Sequence, residues 1–161
     1  MTRKDTLISW LNDAYATEQN LVNVLESHIE HAQGHEDLKS RYESHLAQTR
    51  RHAELIEQCL ERLGGDTSTA KSTMGKMTGW LSGMGSGPAE DRLVKDALAD
   101  FSMEHFEIAS YKSLIAGAEQ AGEPQIAETC RQILKDEEDM AHFLEEQIPK
   151  LTQSEIARQA A

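Results

Sequence analysis

The chain has 161 residues and a mass of 18.0 kDa, the size of one compact domain that buries a sizeable core without a disulfide or metal staple. Its 28 acidic residues against 16 basic ones give a formal charge of -12, which repels nucleic acid and anionic lipid and sets both aside as partners. Aromatics at 5% and only three prolines, in a chain rich in Ala, Leu, Glu and Gln, exclude a sheet-built fold and predict an all-α one.

A first helix is predicted over about residues 5–33, where Leu7, Leu11, Ala14, Leu21 and Leu25 recur at steps of three and four beside Ile8, Tyr15, Val22 and Ile29. Gly34 marks a turn. The second helix, over about 36–63, runs on Leu38, Tyr42, Leu46, Ala53, Ile56, Leu60 and Leu63 until Gly64 and Gly65 stop it. These two form an antiparallel hairpin. From about 64 to 88 the composition shifts to Ser, Thr, Gly and Met, with Met74, Met77, Trp80, Leu81 and Met84 at the spacing of one short amphipathic helix. A connector of that length crosses the bundle, so the third helix starts at the opposite end. That helix is predicted over about 89–120 on Val94, Ala97, Phe101, Ile108, Tyr111, Ile115 and Ala118, with Pro88 suiting its start. After the Gly122-Glu123-Pro124 turn, the fourth runs over about 124–148 on Ile126, Cys130, Ile133, Met140, Leu144 and Ile148. Pro149 is expected to end it, with a frayed tail after Thr152.

The expectation is one domain over residues 1–161, a four-helix bundle made of two hairpins. Cys59 and Cys130 form no Cys-x-x-Cys pair and read as core thiols. No run approaches the ~20 apolar residues of a membrane span, and the N-terminus lacks a signal-peptide pattern, which leads to an expected cytoplasmic location with no membrane partner.

Three apolar stripes are interrupted at their middle step by a glutamate: Glu18 on the first helix, Glu104 on the third and Glu137 on the fourth. A buried carboxylate without a partner is costly, so several that face one another call for a cation or shared protons. Glu104 and Glu137 lie at similar distances either side of the turn near residue 121 and should meet. Counting from Gly34, Glu18 meets the second helix near residue 51, where Gln48, Thr49 and His52 are inward and His45 is a turn further on. Glu107, at the edge of the inward face, can bridge a second ion. Oxygen and imidazole ligands without thiolate suit iron or manganese, and this is how helical bundles hold two metals. Glu138 and His142 are four apart but project away from the core line and read as a surface pair, since each residue turns ~100°. His105 is expected at the edge of its face, and His28, His31 and His35 at a solvated terminus.

The strings Asp13-Ala14-Tyr15-Ala16-Thr17-Glu18, His45-Leu46-Ala47-Gln48-Thr49, Glu104-His105-Phe106-Glu107-Ile108-Ala109-Ser110-Tyr111 and Asp136-Glu137-Glu138-Asp139-Met140-Ala141 resemble a ferritin-like protein. The resemblance is closest to the YciE/YciF-like stress-protein family and covers nearly the whole chain; rubrerythrins resemble it more distantly. It implies a ferritin-like bundle, usually a homodimer, with a di-iron site. The family usually has a glutamate where this chain has Gln48, and relatives often place another polar ligand where Ala141 stands. No rubredoxin-like cysteine set is present, so electrons come from an external donor.

The sequence therefore supports a dinuclear iron, or manganese-containing, centre held by Glu18, Gln48, His52, Glu104, Glu107, Glu137 and His45, with Tyr15, Thr49 and Tyr111 around it. The activity expected is an oxidoreductase using peroxide or dioxygen under stress. The alternatives are a metal-binding stress protein without turnover and a metal-free dimeric interaction module.

Overall fold

The computed structural model describes residues 2–68 and 91–159; the connector methionines and Trp80 lie outside the described residues. The described residues form four helices: α1 (Arg3–His31), α2 (Glu36–Arg62), α3 (Arg92–Ala121) and α4 (Pro124–Gln159). α1 starts on a reciprocal cap, in which the Asp5 N–H donates to Thr2 Oγ1 at 3.1 Å and the Thr2 N–H donates to Asp5 Oδ2 at 2.7 Å. α3 ends on Gly122, whose φ of 78° is the left-handed conformation that lets the Glu123 N–H turn back to Ala118 O at 2.9 Å. That reversal sends α4 antiparallel along α3. None of the described helices is long and apolar enough to cross a membrane.

α1 packs on α2 and α3, and α4 packs on α3 and α2, so the two hairpins lie side by side as an all-α four-helix bundle. The apolar core is divided in two. One part gathers Leu7, Leu11, Ile56, Leu60, Leu114, Ile126 and Ile133, with Tyr111 and the two thiols. The other gathers Leu25, Leu38, Tyr42, Leu46, Ala97, Met140, Leu144 and Leu151. Cys59 and Cys130 are buried and unbonded, and burial with the neighbouring Cys59 pushes the Cys130 thiol up to about 12, which keeps it inert.

Two features differ from the sequence expectation. Pro149 does not end the fourth helix: α4 runs through it to Gln159. Pro149 is exposed and forfeits one backbone bond, while Leu151 beyond it is buried against Leu144 and its neighbours and holds the extra turns in place. The inward line of α3 is also turned from the predicted stripe. Asp96, Asp100, Glu104, Glu107, Tyr111, Leu114 and Ala118 are buried, whereas Phe101, Ile108 and Ile115 sit on its flanks. Apolar periodicity could not register this line, because four of its members are acids. For the same reason His28 and His31 are not a solvated terminus. The first turns of α3 lie against the last turns of α1, and both histidines meet its aspartates.

Because Leu151 anchors the last turns, Leu151→Ala is expected to destabilise the chain by about 2 kcal/mol. Urea unfolding followed by circular dichroism measures the change.

Candidate metal centre

Between the two apolar regions lies a layer of six ionisable side chains: Glu18 from α1, His45 and His52 from α2, Glu104 and Glu107 from α3, and Glu137 from α4, none more than 2% exposed. The seven-residue step from His45 to His52 puts both imidazoles on one face of α2, two turns apart. Glu104 and Glu107 likewise point from adjacent turns of α3.

Glu137 is the shared member. Its Oε1 lies 2.9 Å from His52 Nδ1, which is itself 3.6 Å from Glu18 Oε2. Its Oε2 lies 3.5 Å from His45 Nε2, which is 3.2 Å from Glu104 Oε1. Glu18, His52 and Glu137 thus make one group of converging ligand atoms, and His45, Glu104 and Glu137 a second, with the atoms of each group within 4.8 Å of one another. The other oxygen of Glu18 accepts from the Tyr111 hydroxyl. Glu107 faces the same layer, and neither of its oxygens has a hydrogen-bond partner.

These residues fit a metal pair. Glu18 Oε2, Glu104 Oε2, both oxygens of Glu137, His45 Nε2 and His52 Nδ1 are buried without a hydrogen bond of acceptable geometry, although several stand at contact distance from one another. Buried lone pairs left in that state cost free energy. A divalent cation in each group would supply the missing partner, and the carboxylate and imidazole set suits iron or manganese. The remaining ring nitrogen of each histidine is held from outside the layer. His52 Nε2 lies 3.1 Å from Asp136 Oδ2, and His45 Nδ1 lies 3.3 Å from Gln48 Oε1, so each ring presents its other nitrogen to the carboxylates.

The electrostatics follow from burial and crowding. Burial, then the neighbouring Glu137, Glu18 and Glu104, holds Glu107 well above the usual carboxylate range. Burial raises Glu18 as well, with His52 opposing. Burial and Glu137 push Glu104 up to about 8 against the pull of His45. Glu137 goes the other way: burial resists, but His52 and His45 hold it below its ordinary value. Burial disfavours both imidazolium ions, yet Glu104 and Glu137 bring His45 to about 9, and Glu137 and Glu18 bring His52 to about 11. Without metal, the layer is a network of shared protons that a cation must displace.

The remaining predicted residues divide clearly. Thr49 is buried beside the layer, and its hydroxyl has no hydrogen-bond partner. Gln48 is half-buried, with its amide oxygen on His45. Tyr15 does not join the layer; it is part-buried on the α1/α2 flank near Glu57. Glu138 is exposed and paired with Lys112, His142 is exposed beside Glu145 and Glu146, and His105 is exposed edge-on to Phe101. Asp136 was not singled out by the sequence reading. Its only signal is its position beside Glu137, on the flank that α4 turns toward α2.

Glu104, His45 and His52 all bind protons more tightly in the folded chain, so the stability they lend is lost as pH rises through their folded values. For Glu104 the window runs from 4.5 to about 8, and for His45 from 6.5 to about 9. The melting temperature in chelator is therefore expected to fall between about pH 6 and pH 9. Added Mn(II), which needs the deprotonated ligands, should flatten that fall; parallel slopes with and without it would remove the coupling. Asp136→Asn is expected to weaken Mn(II) binding about ten-fold in titration calorimetry, by releasing His52.

The chain aligns with known proteins along almost its whole length. It is 29% identical over 141 residues to protein YciF of Escherichia coli strain K12, covering 84% of each chain. Its fold superposes on a solved protein from Xanthomonas campestris with a TM-score of 0.85 at 28% identity, covering 100% of both chains. The crystal structure of the E. coli stress protein YciF matches with a TM-score of 0.72 at 22% identity, over 95% of this chain and 98% of that one. Residues 2–157 match the family described as Domain of unknown function (DUF892), and the chain belongs to that family.

Proposed function

We propose that this chain is a dinuclear iron, or manganese-containing, carboxylate protein that acts as an oxidoreductase on peroxide or dioxygen in stress protection. The observation that carries the reading is the division of Glu137 between two histidine–carboxylate groups, which is the arrangement two adjacent ions require. The stress context is supported by the similarity to YciF, described as a stress protein.

When bound, the metal ions would supply Lewis acidity and electrons for the reaction. The chain's own residues set the conditions. Glu18 with His52 and Glu104 with His45 would each hold one ion, Glu137 would be common to both groups, and Glu107 has two oxygens without a hydrogen-bond partner facing the same space. Tyr111 fixes the orientation of Glu18 through its hydroxyl. The apolar regions above and below exclude bulk water, which strengthens every charge interaction inside the layer. A homodimer and a separate electron donor belong to the same proposal.

One observation favours a quieter role, in which the chain keeps metal without turnover. Gln48 is engaged with His45, so α2 brings no carboxylate, and Ala141 adds no ligand. The two readings separate in one experiment. Fe(II) is added anaerobically and then peroxide, and the ferric absorbance is followed by stopped flow. Catalysis predicts about two irons per chain, one for each ligand group, and oxidation faster than that of free Fe(II). Glu104→Ala should slow it at least ten-fold, about the loss of 1.4 kcal/mol of barrier lowering. Iron that binds but oxidises no faster than free Fe(II) would leave only the quieter role.

A further inference from the structure

α2 brings a third polar side chain to the layer, one that neither ligand group uses. Thr49 follows His45 by four residues and precedes His52 by three, which sets it within about 60° of each around the helix and between them along its axis. It is 1% exposed. His45 faces one oxygen of Glu137 and His52 the other, so the threonine stands at the level where the two groups join.

The Thr49 hydroxyl has no hydrogen-bond partner. A threonine or serine inside a helix has an easy one, the carbonyl four residues back. Thr6, Thr17, Ser102, Ser110, Thr129 and Thr152 all take that bond, at distances between 2.8 and 3.2 Å. Thr49 does not, although it is buried where an unmade bond is costly.

Packing gives no reason for a hydroxyl at this place, because valine has the same shape and no polar group to desolvate. Service as a metal ligand gives little more. A neutral alcohol competes poorly with carboxylate and imidazole, and an ion that takes its lone pair leaves the O–H proton without an acceptor. The acceptor that fits is a small anion bound at the ions themselves. Each group offers three protein ligands, Gln48 is turned to His45, and Ala141 offers none. Iron and manganese take up to about six donors, so positions stay open even where Glu107 joins in.

We propose that Thr49 is the hydrogen-bond donor for a small anion, of the size and charge of hydroperoxide, held beside the two metal positions. The proposal rests on the metal reading above, and the test separates the two. Full-length protein is stripped with chelator and loaded with Co(II), and calorimetry gives the affinity and stoichiometry of the metal. Azide, a small anion that accepts hydrogen bonds, is then titrated, and the visible absorption of Co(II) gives its dissociation constant. Thr49→Val is expected to weaken azide about ten-fold, the loss of one hydrogen bond to a charged group, with Co(II) affinity and stoichiometry unchanged. Thr49→Ser should restore the parental azide constant. The control Thr129→Val, which removes a hydroxyl already bonded to Gln125 O, should leave it unchanged.

Parental azide binding in Thr49→Val would overturn the proposal and leave the metal centre standing. Weaker Co(II) binding in that variant would overturn it as well, by making the hydroxyl a partner of the ions. So would equal weakening of azide in Thr129→Val, or a loaded parent chain that binds no azide. The metal-free chains supply a further readout: Thr49→Val should melt no lower than the parent. A lower melting temperature that serine restores would assign the hydroxyl to the bare fold and overturn the proposal too. A parent chain that binds no Co(II) would sink both readings. Should Thr49→Val fail to fold, Thr49→Ala carries the same expectation for azide.

Discussion

The structure depends on one constraint: four carboxylates and two imidazoles are buried in a single layer, with Glu137 touching both imidazoles. Burial alone favours neutral carboxylic acids and neutral rings. Pairing favours ions. The result is uneven: the imidazoles pull Glu137 toward its ionised form, burial and the neighbouring acids push Glu107 toward its neutral form, and the carboxylates raise both histidines. Such a layer is a poor way to stabilise a bundle, and each divalent cation that binds there must displace protons that the fold holds more tightly than the unfolded chain does.

The rest of the bundle serves that layer. Apolar regions on both sides carry the folding free energy, so the layer need not contribute. The αL turn at Gly122 sets α4 against α3 in the register that brings Glu137 beside Glu104. Asp136 and Gln48, each outside the layer, fix the rings of His52 and His45, so α2 contributes nitrogen ligands where its flank carries no acid. The similarity to YciF and to the Xanthomonas protein spans the same helices, which makes the bundle a property of the family.

The polar line of α3 gives the molecule a direction. One end of the bundle is filled by aliphatic side chains and thiols, whereas along the other half acids, imidazoles and a phenol run from Arg92 to the layer. There the acids are paired with imidazoles, and Arg92 stands at the outer end.

The sequence by itself determined the class of fold and the level of the site. Helical periodicity is local, so the hairpins and the depth of Glu18, Glu104 and Glu137 could be counted from Gly34 and the turn near residue 121. Only the tertiary structure decided how α3 is rotated, because an inward line of acids leaves no apolar pattern to read; that rotation buries Glu107, Asp100 and Asp96 and turns Phe101 aside. It also decided that α4 continues past Pro149, since Leu151 finds a core partner the local rule cannot see. His28, His31 and Asp136 became partners of distant residues for the same physical reason: a side chain's charge state and contacts are set by what another helix places beside it.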